Sequence, residues 1–179
     1  MVSALRIHGA IIAIAATLLL PLVAFAHSGD ENTAQEPALL AAIVSLGGGA
    51  DHFSAGTFRR AVSTTPDEEK NLRTALGSAN VNRFDEVFTY VVVDAISTMK
   101  RSGKSLPPPS SMDPKAVAVA LYKAGLHGGP FDVEHCFDTL FSPAVHDHAM
   151  LAVGRKYGAA GETAYHAVFA RLIEDTGKA

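Results

Sequence analysis

The stretch RFDEVFTYVVVDAISTMKRSG, residues 83–103, decides how this chain folds. Phe84, Val87, Phe88, Val91, Ala95 and Met99 recur at i, i+3, i+4, i+7, i+11 and i+15, a spacing that lines one face of an α-helix. The run from Tyr90 to Val93 favours strand by residue type, but the alternation of a half-buried strand never appears. Asp85 and Glu86 open the segment, and Lys100 and Arg101 close it before Gly103. Each charge therefore stands at the end of the helix dipole that favours it. The segment predicts a central core helix.

Helical signals continue on both sides. Upstream, TTPDEEKNLRTALG (64–77) carries a full set of boundary marks: Thr65 as N-cap, Pro66 at the first helical position, Glu68 completing a capping box and Gly77 as the stop. PALLAAIVSL (37–46) predicts a helix closed by Gly47 to Gly49, and FSAGTFRRAV (53–62) another, interrupted by Gly56. Downstream, the three prolines of SLPPPSSMD (105–113) allow neither helix nor sheet interior and predict a stiff connector. Asp113-Pro114 then starts PKAVAVALYKAG, which ends at Gly125. FDVEHCFDTLF (131–141) places Val133, Phe137, Leu140 and Phe141 on one face. Ser142-Pro143 caps a helix running to Tyr157 and Gly158, and a last helix spans about Gly161 to Thr176. The expected fold is all-α, a compact bundle of seven to eight short helices in one domain, residues 37–179.

The first residues have a different character. Arg6, an uncharged apolar run from Ala10 to Leu20, Pro21 and then Ala24-Phe25-Ala26 follow the order of a secretory signal peptide, cleaved after Ala26. Residues 27–36 are polar and expected to be disordered. The expected location is secreted or periplasmic, with no stable membrane anchor after cleavage. Cys136 is the single cysteine, so an internal disulfide is impossible and stability must come from core burial. With 15 basic against 18 acidic residues and no basic cluster, the chain lacks the electrostatic footprint of a nucleic-acid binder. A protein partner is compatible with the composition, which does not fix an oligomeric state. Nucleophile elbow, zincin pair, phosphate loop and dinucleotide fingerprint are all missing, so nothing points to an enzyme.

The chemistry-bearing residues are histidines. His127, His135, His146, His148 and His166 crowd the C-terminal part. In SPAVHDHAM (142–150), His146 and His148 are two apart on a helix and point about 200° away from each other, so they cannot share one ion. The face of His146 continues through Met150, Val153 and Tyr157, which turns it inward; His148 stands nearer the boundary. His146 with Met150 at i,i+4 suits Cu(I) or haem iron. A haem would be held non-covalently, since the C-x-x-C-H signature is absent. Glu162 with His166 at i,i+4, and Asp132, His135 and Asp138 at successive i,i+3 positions, could each supply two ligands to zinc, copper or iron. The candidate metal ligands are therefore His135, Asp138, His146, His148, Glu162 and His166, and the candidate cofactor-binding residues are His146, Met150 and His166. Cys136 shares a face with Val133 and Leu140 and is expected to be a buried, inert thiol. The reading is an exported, non-enzymatic helical protein that binds a metal ion or haem through its C-terminal helices. The alternative is an extracytoplasmic interaction or scaffold protein with every histidine structural or on the surface.

Overall fold

The structure, a computed structural model, describes residues 32–63, 65–106, 108 and 111–178; the expected signal peptide and residues 27–31 lie outside them. The described residues form seven helices and no strand: α1 (Asn32–Leu46), α2 (Ala55–Val62), α3 (Pro66–Leu76), α4 (Ser78–Arg101), α5 (Pro114–Leu126), α6 (Val133–Phe141) and α7 (Pro143–Gly177). None is long and apolar enough to cross a membrane.

α4 is the core helix its periodicity predicts. Val81, Phe84, Val87, Phe88, Val91, Val92, Ala95 and Ile96 are buried along it. Phe88 meets the rings of Phe53, Phe58, Phe84, Phe137, Tyr165 and Phe169 at centroid distances between 5.4 and 6.2 Å. Most of these pairs are edge-to-face or tilted, the arrangements that aromatic quadrupoles favour. Buried apolar side chains of all seven helices join in one cluster. α1 is apolar all round from Leu39 to Val44, and each of those residues is buried. A helix with no polar face stays dry only when covered on every side, and α2, α5 and α6 cover this one.

Several boundaries differ from the expected ones for local reasons. α1 starts at Asn32, five residues before the expected Pro37. Extending a helix already anchored by Leu39 and Leu40 needs no new nucleus, which lets a polar stretch join it. α3 has its full capping box: the Thr65 hydroxyl accepts from the Glu68 amide, and the Glu68 carboxylate accepts from the Thr65 amide. α5 passes through Gly125 and ends at His127, which takes the left-handed cap conformation with φ 31°. Gly125 is there because of packing: a Cβ would stand 2.3 Å from the Phe131 ring. Ser142 occupies the N-cap position of α7 but at φ 64°, and its side chain makes no capping hydrogen bond.

α7 is broken at Gly158 (φ 64°, ψ −172°), which separates arms of residues 143–157 and 159–177 close to the boundary predicted there. The arms fold back around α6, because Phe137 of α6 packs against His146 of the first arm and against Tyr165 and Phe169 of the second. That reversal positions the site.

Candidate functional site

α6 begins at Val133 because Asp132 caps it, its carboxylate accepting from the amides of Glu134 and His135. One oxygen of Asp132 is thereby engaged, and Asp132 and His135 line the same cleft. On the next turn, Glu134 and Asp138 stand at i,i+4 and put two carboxylates on one face of α6. Like charges at that spacing destabilise an isolated helix by a few tenths of a kcal/mol. Histidines from both arms of α7 answer them.

His146, 1% exposed, turns Nδ1 to Asp138 Oδ1 at 3.0 Å, with Glu134 Oε2 at 3.5 Å. Carboxylates only accept, so Nδ1 carries the proton and Nε2 holds the lone pair in the neutral ring. His166 comes from the second arm, and its Nε2 lies 2.5 Å from Glu134 Oε1. That oxygen sits off the direction of a ring N–H, so the contact is not a hydrogen bond. Twenty residues separate the two histidines; on an unbroken helix they would stand about 30 Å apart on opposite faces. The turn at Gly158 brings both to one carboxylate.

Among the described residues, His146 Nε2, His166 Nε2 and the Tyr165 hydroxyl are buried without a hydrogen bond. Burial, with the Glu134 charge adding to it, pushes the Tyr165 hydroxyl well above its ordinary pKa and keeps it protonated. Native proteins leave few such groups unsatisfied, since each costs about 1–3 kcal/mol. Beside them opens a cleft of about 550 Å³ lined by Glu134, His166, His127 and His135. The rings of His127 and His135 pack at 4.0 Å between centroids.

The sequence candidates thus divide. Asp138, His146 and His166 converge around Glu134, and His135 lines the adjoining cleft. His148 is drawn instead to Asp94 of α4, with Nδ1 3.2 Å from Oδ2, and stays largely exposed. Glu162 lies against Gly154 of the other arm of α7. Met150 packs on the hydrophobic core. Glu134 and Tyr165 were not among the candidates; the signal for Glu134 was its like-charge pairing with Asp138. Among the described residues, no three His, Cys, Asp or Glu side chains already form a group able to hold one metal ion.

Cys136 is fully buried, and its thiol donates to the Leu121 carbonyl at 3.5 Å. Burial pushes its pKa up to about 12. A thiolate is the reactive species, so a disulfide-exchange reagent at pH 8 is expected to leave Cys136 untouched in the folded protein and to label it fully in denaturant. Fast labelling of the native chain would contradict this burial. Compared with known proteins, the chain matches no family model, no curated protein and no solved structure.

Proposed function

We propose that this is an exported, non-enzymatic helical protein that binds a divalent transition metal through Glu134, His146 and His166, with Asp138 orienting His146. The observation that carries the reading is the Glu134 carboxylate standing between histidines of both α7 arms. Asp138 on Nδ1 of His146 is the carboxylate-to-histidine contact that fixes the tautomer of a metal-ligating imidazole and leaves Nε2 to donate. Carboxylate and imidazole donors suit zinc or iron. Copper(I) or haem would need Met150 beside His146 as a further donor, and that side chain is partly buried against the core. Glu134 stands at the Nδ1 edge of His146, so to share an ion with Nε2 it must swing around the ring; its side chain is half exposed and free to rotate.

Zinc titration of the purified protein, followed by calorimetry, tests this. About one equivalent is expected to bind, and H146A/H166A is expected to lose stoichiometric binding. Because His146 is buried, H166A and E134Q serve as paired controls that spare the core. Each is expected to weaken zinc at least tenfold with the helical circular dichroism signal retained. Unchanged affinity in E134Q and H166A would overturn the proposal.

A further inference from the structure

α5 carries more apolar surface than the core uses. Val117, Ala118, Leu121 and Gly125 are buried; Ala120 and Ala124 flank them, partly buried against the core, and Ala116 and Val119 continue the apolar surface outward on either side of Lys123. With Leu39 of α1, Ala116, Val119, Ala120 and Ala124 line a groove of about 860 Å³ that ends at the His127 and His135 ring pair. Lys115 and Lys123 also line it, both exposed, about 12 Å apart along the helix. Neither lysine makes a salt bridge among the described residues. Asp113 also lines the groove at its α5 end, one carboxylate oxygen accepting from the amides of Lys115 and Ala116 as the cap of α5.

We propose that this groove binds an amphipathic anion, a carboxylate with an acyl tail, which lays its chain on the alanine and valine floor and its head group on Lys115 or Lys123. Three features select that class. An apolar floor with unpaired cations at its edge complements a ligand with one apolar end and one negative end. The volume falls within the roughly 300–1,000 Å³ of small-molecule sites rather than the extended surface of a protein interface. A two-fold pairing of two copies through this face would enclose the lysines of both copies in one interface, a concentration of like charge that opposes it. The groove meets the cleft beside Glu134 at His127 and His135, but its floor and its lysines belong to α5 and include neither Glu134 nor His166.

The test is calorimetric titration of the full protein with decanoate, and with 1-decanol as the uncharged tail of equal length. One equivalent of decanoate is expected to bind, about tenfold or more tighter than decanol. K115E/K123E is expected to remove that preference, because both side chains are exposed and their loss spares the fold. A120W, which fills the groove from a half-exposed position, is expected to abolish binding of both probes, while H166A leaves it unchanged. Equal affinity for the two probes, full binding in A120W, no binding at all, or a protein whose groove is closed by self-association in solution would each overturn the proposal.

Discussion

A Phe88→Asp chain is expected to be unfolded under conditions where the parent is folded. Phe88 is fully buried and is the ring on which aromatic side chains of α2, α4, α6 and α7 meet. Truncating such a ring costs about 3–5 kcal/mol through lost transfer energy and the cavity left behind. Aspartate adds the penalty of a buried charge without a partner, several kcal/mol more. Domains of this size hold only about 5–15 kcal/mol in total, so the sum removes most or all of it. Thermal melting followed by circular dichroism is the check. A cooperative transition near that of the parent would mean that Phe88 does not sit at the centre of the core. Phe88→Leu, which keeps an apolar group in the site, is expected to melt cooperatively at a lower temperature.

The second large effect lies at Arg59, whose side chain is fully buried. Its guanidinium makes a bidentate pair with Asp85, Nε to Oδ1 at 2.9 Å and Nη2 to Oδ2 at 2.8 Å, and its Nη1 reaches Glu69. Arg73 joins through Glu69 at 2.7 Å. Removing one member of a fully buried ion pair costs about 3–5 kcal/mol; here the carboxylates left behind keep part of their surface in water and Glu69 keeps Arg73, which lowers the cost. Arg59→Met is therefore expected to be among the most destabilising single changes, measured by urea denaturation. Arg59→Lys should rescue only part, because an ammonium cannot make the fork. Adding Asp85→Asn to Arg59→Met is expected to recover some of the loss; a double mutant as unstable as the simple sum would argue against coupling between the two.

The same cluster gives the acid side of the stability profile a defined sign. Burial raises the Glu69 pKa, but hydrogen bonds from Arg73 and Arg59 outweigh it and hold the group below its ordinary value. A depressed folded-state pKa stabilises the protein above the unfolded-state value, and that contribution disappears as pH falls through the folded one. Denaturation midpoints measured from pH 7 down to pH 3 should therefore fall less steeply in Glu69→Gln than in the parent. Arg59, with its pKa raised, stays charged throughout this range and adds no slope.

The helices were legible where local chemistry fixes them. The Thr65 capping box, the Pro114 start and the long apolar stripe of α4 are written within a few residues of one another, and each appears as predicted. The inward face of His146 also followed from spacing alone, and the structure buries it. What spacing cannot convey is which elements meet. Arg59 sits beside Arg60 in a segment with no apolar partner for a charge; its burial depends on carboxylates from α3 and α4, 10 and 26 residues away. Glu134 has no comparable local mark, because its partners are His146 across one joint and His166 across two. His148 was drawn off by Asp94, 54 residues upstream, a pairing without any local signal.

The backbone at Gly158 holds a conformation essentially reserved for glycine, and this has a thermodynamic consequence. A ligand gripped by His146 and His166 acts as a removable cross-link over the residues between them, since only a chain already bent at that glycine offers both rings at once. Such a ligand would favour the folded state to the extent that the histidines of the unfolded chain bind it less tightly. At a free concentration one hundred times its Kd it adds about 2.7 kcal/mol to the unfolding free energy by mass action. If the proposed site fills, the cohesion of the C-terminal half would be set by the surroundings as well as by the sequence, rising and falling with the supply of the ion.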